Sequence, residues 1–132
     1  MNAMNNKKKP MILVVDDDSS GRQLQRDALS FAGYHTMTAH CGRQALSLAE
    51  HVRPDLIMMD FNLPDLSGIE VFQKLKAGAS TRNIPVVLVS AEHNIEANQQ
   101  FQHAGYVGYV EKPYQLKHYL DKIKQFLNIS CE

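Results

Sequence analysis

The chain has 132 residues and a mass of 14.9 kDa, enough for one compact domain and too little for two. Lys plus Arg and Asp plus Glu both number 14, so the net charge is zero, which argues against a basic nucleic-acid binder. Hydrophobic residues at 44% and charged residues at 21% argue against a disordered or low-complexity chain.

Residues 1–10 (MNAMNNKKKP) are polar and read as a solvated tail. The short apolar run after Lys7, Lys8 and Lys9 is no secretory signal, and no run approaches the ~20 residues of a membrane span. Cys41 and Cys131 have neither metal-ligand spacing nor the number for a disulfide scaffold, so a reducing cytoplasm is expected.

Met11 to Val15 is a continuous apolar run that ends in Asp16-Asp17-Asp18, as expected for a strand buried on both faces. Ser19 or Ser20 can cap a first helix with Leu24, Ala28, Phe31 and Ala32 on one face and Gly33 as its stop. Asp18, beside those serines, is itself a capping or turn residue. His35 to Ala39 is a weaker second strand, and Gly42 to Val52 a helix with Ala45, Leu48, Ala49 and Val52 as its stripe. Leu56 to Met59 is a third strand running into Asp60. Gly68 then opens a helix whose Ile69, Phe72 and Leu75 face the core. Val86 to Val89 is a fourth strand ending at Ser90, Ile95 to Ala104 a polar fourth helix, and Tyr106 to Val110 a fifth strand followed closely by Lys112. Leu116, Tyr119, Leu120, Ile123 and Leu127 mark a fifth helix.

Five successive strand–helix units predict an α/β fold with a parallel sheet covered on both faces. Strands one, three and four are unbroken apolar runs and belong in the centre. The second (HTMTA) and fifth (YVGYV) carry polar residues or glycine and belong at the edges. The expected order is 2-1-3-4-5, doubly wound, and it collects the strand C-termini at one rim where ligands bind.

That rim gathers Asp16, Asp17, Asp60, Ser90 and Lys112. Three carboxylates there repel one another unless a cation compensates, and magnesium suits an all-oxygen site that keeps several waters. A lysine and a hydroxyl are donors for phosphoryl oxygens, and the carboxylate on the central strand is placed to be a nucleophile. The chemistry is magnesium-assisted phosphoryl transfer onto an aspartate. Asp65, in a Pro-Asp-Leu-Ser-Gly loop, reads as turn chemistry. His35, His40, His51, His93, His103 and His118 are scattered and read as surface residues.

These segments resemble the receiver domains of two-component response regulators, which have a flavodoxin-like fold. ILVVDDD at 12–18, DLIMMDFNLPDLSG at 55–68, PVVLVSA at 85–91 and GYVEKPY at 108–114 match the family's motifs in order and spacing. The resemblance implies Asp60 as phosphoacceptor, direct magnesium ligation by Asp17, Asp60 and the carbonyl of Asn62, and ligation by Asp16 mainly through water. It implies that Lys112 pairs with Asp60, that Pro113 follows a cis bond, and that Ser90 and Tyr109 couple as a switch. A histidine kinase or histidine phosphotransfer protein is then the phosphoryl donor. A downstream protein partner reads the surface around the fourth helix, fifth strand and fifth helix. No direct contact with nucleic acid or membrane is expected, nor turnover of a separate substrate, since such a domain promotes only its own phosphorylation and dephosphorylation. The expected division is a tail at 1–10, a receiver domain at 11–128 and a tail at 129–132.

Two rivals use the same residues. A degenerate receiver serving as a protein-binding scaffold is expected to lack an acceptor, an acidic ligand or the lysine, and all are here. A magnesium phosphohydrolase wants a second carboxylate two residues after the nucleophile, where this chain has Asn62. Excision from a hybrid kinase is also consistent with the residues.

Overall fold

The structure is a computed structural model that describes residues 9–91 and 108–130. Its strands are β1 (Met11–Val15), β2 (His35–Ala39), β3 (Leu56–Asp60), β4 (Val86–Ala91) and β5 (Gly108–Lys112). They form one parallel sheet in the order β2-β1-β3-β4-β5, as expected. Helices α1 (Ser19–Phe31), α2 (Gly42–Val52), α3 (Gly68–Ala77) and a C-terminal helix (Leu116–Ser130) complete the described residues. The expected fourth helix, Ile95 to Ala104, lies outside them, as do Tyr106, His93, His103 and Cys131.

Alternation along each strand splits the core between the two faces of the sheet. Leu13, Val15, Ile57, Met59, Val86 and Leu88 pack against α2 and α3, while Ile12, Val14, Met58, Val87 and Val110 pack against α1 and the C-terminal helix. β3 is buried along its whole length, as a central strand must be, whereas β2 is only partly covered.

Several local expectations need correction. Asp18, rather than Ser19 or Ser20, caps α1: its side chain accepts from the Gly21 N–H at 2.8 Å. The buried face of α1 is Gln25, Ala28 and Leu29, leaving Leu24 at 48% and Phe31 at 92% exposure and Ala32 exposed. The reason is that a polar residue, Gln25, takes the core position next to Leu24. Val52 also turns outward, while Ala45 and Ala49 hold α2 to the sheet. In α3, Val71 joins Phe72 and Leu75 in the core and Ile69 is only partly covered. β5 runs to Lys112 rather than ending at Val110, because its pairing with β4 continues through Ala91↔Lys112.

Close approaches fix the layers. A Cβ on Gly108 would stand 2.1 Å from Phe126 Cζ, so this glycine lets the phenyl ring lie directly on the edge strand. Gly33 takes φ +97° just past α1, the left-handed position that favours glycine after a helix.

Candidate functional site

The ladder reaches just past β1 and β3: the Asp16 N–H donates to the Ala39 carbonyl at 3.0 Å and the Phe61 N–H to the Val89 carbonyl at 3.0 Å. Backbone pairing therefore carries the acidic residues to the rim. Asp16, Asp17 and Asp60 each offer an oxygen, all within 4.8 Å of one another. Asp16 and Asp60 are buried, at 4% and 6% exposure, while Asp17 is exposed. Among the described residues this is the one group of three or more acidic, histidine or cysteine side chains that could hold a metal ion.

Lys112 brings the compensating charge from β5. Its Nζ lies 3.1 Å from Asp60 Oδ2, and the peptide bond that follows, Lys112–Pro113, is cis. Asp60 Oδ1 accepts from the Asn62 N–H at 3.2 Å. Burial pushes the Asp60 carboxyl above its usual range, with the Asp16 charge adding to the rise, and the ammonium and the Asn62 N–H only partly offset this. By charge count alone, one lysine leaves the three carboxylates with a net negative charge. Hard oxygen donors with surplus negative charge are the donor set that suits magnesium.

Ser90 is the next-to-last residue of β4 and fully buried. Tyr109 pairs in register with Leu88 and is partly buried against the α2–α3 side of the core. The strands thus carry the expected residues to one rim, with Tyr109 three residues before Lys112 on β5.

The loop from 61 to 67 is fastened at several points. Asn62 and Ser67 form an isolated bridge, and Ser67 and Glu70 form a reciprocal capping box at the start of α3. Gly68 donates its N–H to the Phe61 carbonyl at 2.8 Å, and a Cβ there would stand 3.0 Å from Phe61 Cα. Asp65 does more than shape a turn. It accepts from the N–H groups of Gly42 at 2.7 Å and Arg43 at 3.0 Å, capping α2 in place of Cys41, whose side chain makes no capping bond. These donors hold the Asp65 carboxyl down at about 2.

Sequence reasoning missed the polar core beneath Asp16. Gln25, 2% exposed, bonds to Asp16 Oδ2 at 3.1 Å and to the hydroxyl of buried Tyr119 at 2.5 Å. Burial raises the Tyr119 hydroxyl well above its usual value, and Tyr114, stacked on it at 4.8 Å, is pushed up to about 12. The available signal was Tyr119 on an otherwise aliphatic stripe, since a buried tyrosine hydroxyl needs a partner.

A doubly wound parallel sheet with an acidic trio and a lysine at its C-terminal rim defines the class of aspartate-based phosphoacceptor domains. The chain belongs to the response regulator receiver domain family, whose model matches residues 12–124. It is 35% identical over 116 residues to the polar-differentiation response regulator DivK of Brucella anthropi, covering 88% of this chain and 94% of that protein. In structure it is similar to a CheY-like receiver domain protein from Methanospirillum hungatei (TM-score 0.87, 27% identity, 93% of this chain and 97% of that one). It is also similar to chemotaxis protein CheY4 of Vibrio cholerae (0.84, 30%, 89% and 98%). A third similar structure is the receiver domain of the sensor histidine kinase PA1611 from Pseudomonas aeruginosa, described with magnesium coordinated in its active-site cleft (0.84, 25%, 92% and 99%). The family is one of phosphoacceptors in two-component signalling, not of classical turnover enzymes. Its members bind magnesium at an acidic pocket and interact with histidine kinases and downstream partners. Among the described residues, no helix is long and apolar enough to cross a membrane.

Proposed function

We infer that Asp60 is the phosphoacceptor of this receiver and that residues 11–128 form the switching domain, flanked by tails at 1–10 and 129–132. The observation that carries the reading is the ion pair at 3.1 Å between Lys112 and Asp60 beside two further carboxylates. An Asp60 carboxylate oxygen attacks the phosphorus of a phosphohistidine on a histidine kinase or phosphotransfer protein. A P–O bond forms as the P–N bond breaks, and the imidazole leaves with the electron pair. Lys112, relieved of its carboxylate charge, follows the negative charge onto a transferred phosphoryl oxygen.

Asp16, Asp17, Asp60 and the Asn62 carbonyl are the groups to hold magnesium, which when bound supplies positive charge for the phosphoryl oxygens. The Asn62 N–H steadies the Asp60 oxygen that Lys112 does not hold. Ser90 donates its hydroxyl to the phosphoryl group, and Tyr109 on the neighbouring strand responds to that movement. The result is a changed surface around 95–104, β5 and the C-terminal helix, which a protein partner in the cytoplasm reads. The domain promotes only its own phosphorylation and hydrolysis.

Incubation with phosphoramidate and magnesium is expected to add the mass of one phosphoryl group to the parent and none to Asp60→Asn. Full labelling of Asp60→Asn would reject the assignment.

A further inference from the structure

Gln25 carries two donors and one acceptor into a site that is 98% covered, and all three have partners. Its Nε2 donates to Asp16 Oδ2 at 3.1 Å and to the Gly21 carbonyl at 3.2 Å. Its Oε1 accepts from the Tyr119 hydroxyl at 2.5 Å. The orientation of the amide is fixed by chemistry: the Gly21 carbonyl can only accept, so the NH2 group faces it and the oxygen faces Tyr119. The other Asp16 oxygen, Oδ1, accepts from the Asp18 N–H at 3.0 Å. Both oxygens of this carboxylate are therefore held, one by the start of α1 and one by a chain that ends on the C-terminal helix. Gly21 keeps the space tight, since a Cβ there would stand 2.7 Å from Asp16 Oδ2.

We propose that Gln25 and Tyr119 are a positioning pair that holds the Asp16 carboxylate in its metal-binding orientation and so couples magnesium binding to the seating of the C-terminal helix. The proposal rests on the magnesium reading of the acidic trio given above. Neither residue touches the phosphoryl group; Gln25 acts through Asp16, and Tyr119 acts through Gln25. Leucine and phenylalanine would fill the same space without three polar partners to satisfy, so packing alone does not account for the pair. Loss of an outer partner of a direct metal ligand typically weakens the metal by about 10- to 100-fold, and because Asp16 reaches magnesium mainly through water the lower end applies here. Coupling of this kind is reciprocal, so whatever the helix does for the metal, the metal does for the helix.

The test is calorimetric titration of magnesium into the parent, Tyr119→Phe, Gln25→Leu and the double variant, each checked for folding by circular dichroism. Gln25→Leu is expected to weaken magnesium about 10-fold, and Tyr119→Phe, one bond further away, by less. The double variant is expected to be no weaker than Gln25→Leu alone, because both changes cut one chain. Hydrogen exchange provides the second readout: magnesium should slow exchange over 116–127 in the parent and less so in Tyr119→Phe. If Gln25→Leu fails to fold, Gln25→Met, which keeps an unbranched side chain, takes its place. Lowered melting temperatures with unchanged magnesium affinity would make the pair merely structural and overturn the coupling alone. A parent that binds no magnesium would overturn the metal reading and the coupling with it.

Discussion

Replacing Asp60 by asparagine should make the metal-free protein more stable while destroying its capacity to be phosphorylated. Two unit charges 4.8 Å apart, the outer limit for the acidic oxygens, repel by roughly 3.5 kcal/mol at an effective dielectric of 20 and by about 0.9 kcal/mol in water. Asp60 faces two such neighbours, and only Asp17 is exposed to solvent. Against this stands one attraction, to Lys112 at 3.1 Å, worth about 5.4 kcal/mol at the same dielectric and weakened by screening because that side chain is 35% exposed. The upward displacement of the Asp60 carboxyl has the same sign, with burial as its leading cause. The expected net gain for Asp60→Asn is about 1 kcal/mol, or roughly 4 °C in melting temperature.

The pH dependence follows from that sign. A carboxyl whose folded value lies above the ordinary 3.8 favours folding when protonated. This contribution is present below pH ~3.8 and lost as the pH rises through the folded value. The advantage of Asp60→Asn is therefore full at neutral pH and fades on acidification. Magnesium relieves the same repulsion, and at ten times its Kd it stabilises the parent by about 1.4 kcal/mol. Cation and substitution should not add, so the two proteins should draw together as magnesium rises. Thermal melts at pH 5 and 7.5, with EDTA or with magnesium, decide the matter. A metal-free Asp60→Asn that melts at or below the parent at pH 7.5 would refute the repulsion argument.

Gly108→Ala places a methyl group on the Phe126 ring and should cost about 1–3 kcal/mol, as overpacking does, measured as a lower urea midpoint. Asp65→Ala should be less stable than the parent at neutral pH. Because the Asp65 carboxyl is held down at about 2, its contribution is present above the ordinary 3.8 and lost as pH falls toward 2; urea midpoints of the two proteins should converge over that window.

The fold was legible because strand burial is written in composition: unbroken apolar runs in β1, β3 and β4, interrupted ones in β2 and β5. The rim residues were legible because each stands at or near a strand end, where a parallel sheet must gather them. Spacing misled where a polar residue occupies the core. The hydrophobicity of Leu24 and Phe31 points them inward, yet both lie on the outside of α1 because Gln25, bonded to Asp16, sets the buried face. The Asp65 cap was illegible for another reason: its partners at Gly42 and Arg43 lie more than 20 residues upstream, and no local pattern announces a bond across that distance. Gly108 did carry a signal, since glycine within a strand marks a close approach, although nothing in the sequence says that the visitor is Phe126.

The fastening of the acceptor loop bears on where a change at Asp60 can go. Residues 61–67 are tied back to α3 by the Gly68 N–H and the Ser67–Glu70 capping box, and to α2 by Asp65. Movement there would break several hydrogen bonds at once, each worth about 1 kcal/mol, so this loop is the costly direction for a response. Lys112 pairs with Asp60 across the rim at 3.1 Å, and Asp16 is joined to the C-terminal helix through the Gln25–Tyr119 chain. On the phosphoacceptor reading proposed above, new charge at Asp60 would repel Asp16 and draw on Lys112, which connect to the C-terminal helix and to β5 respectively. On that reading the tied-down β3–α3 connection is the costly side for a response, and β5 with the C-terminal helix is the side left to it.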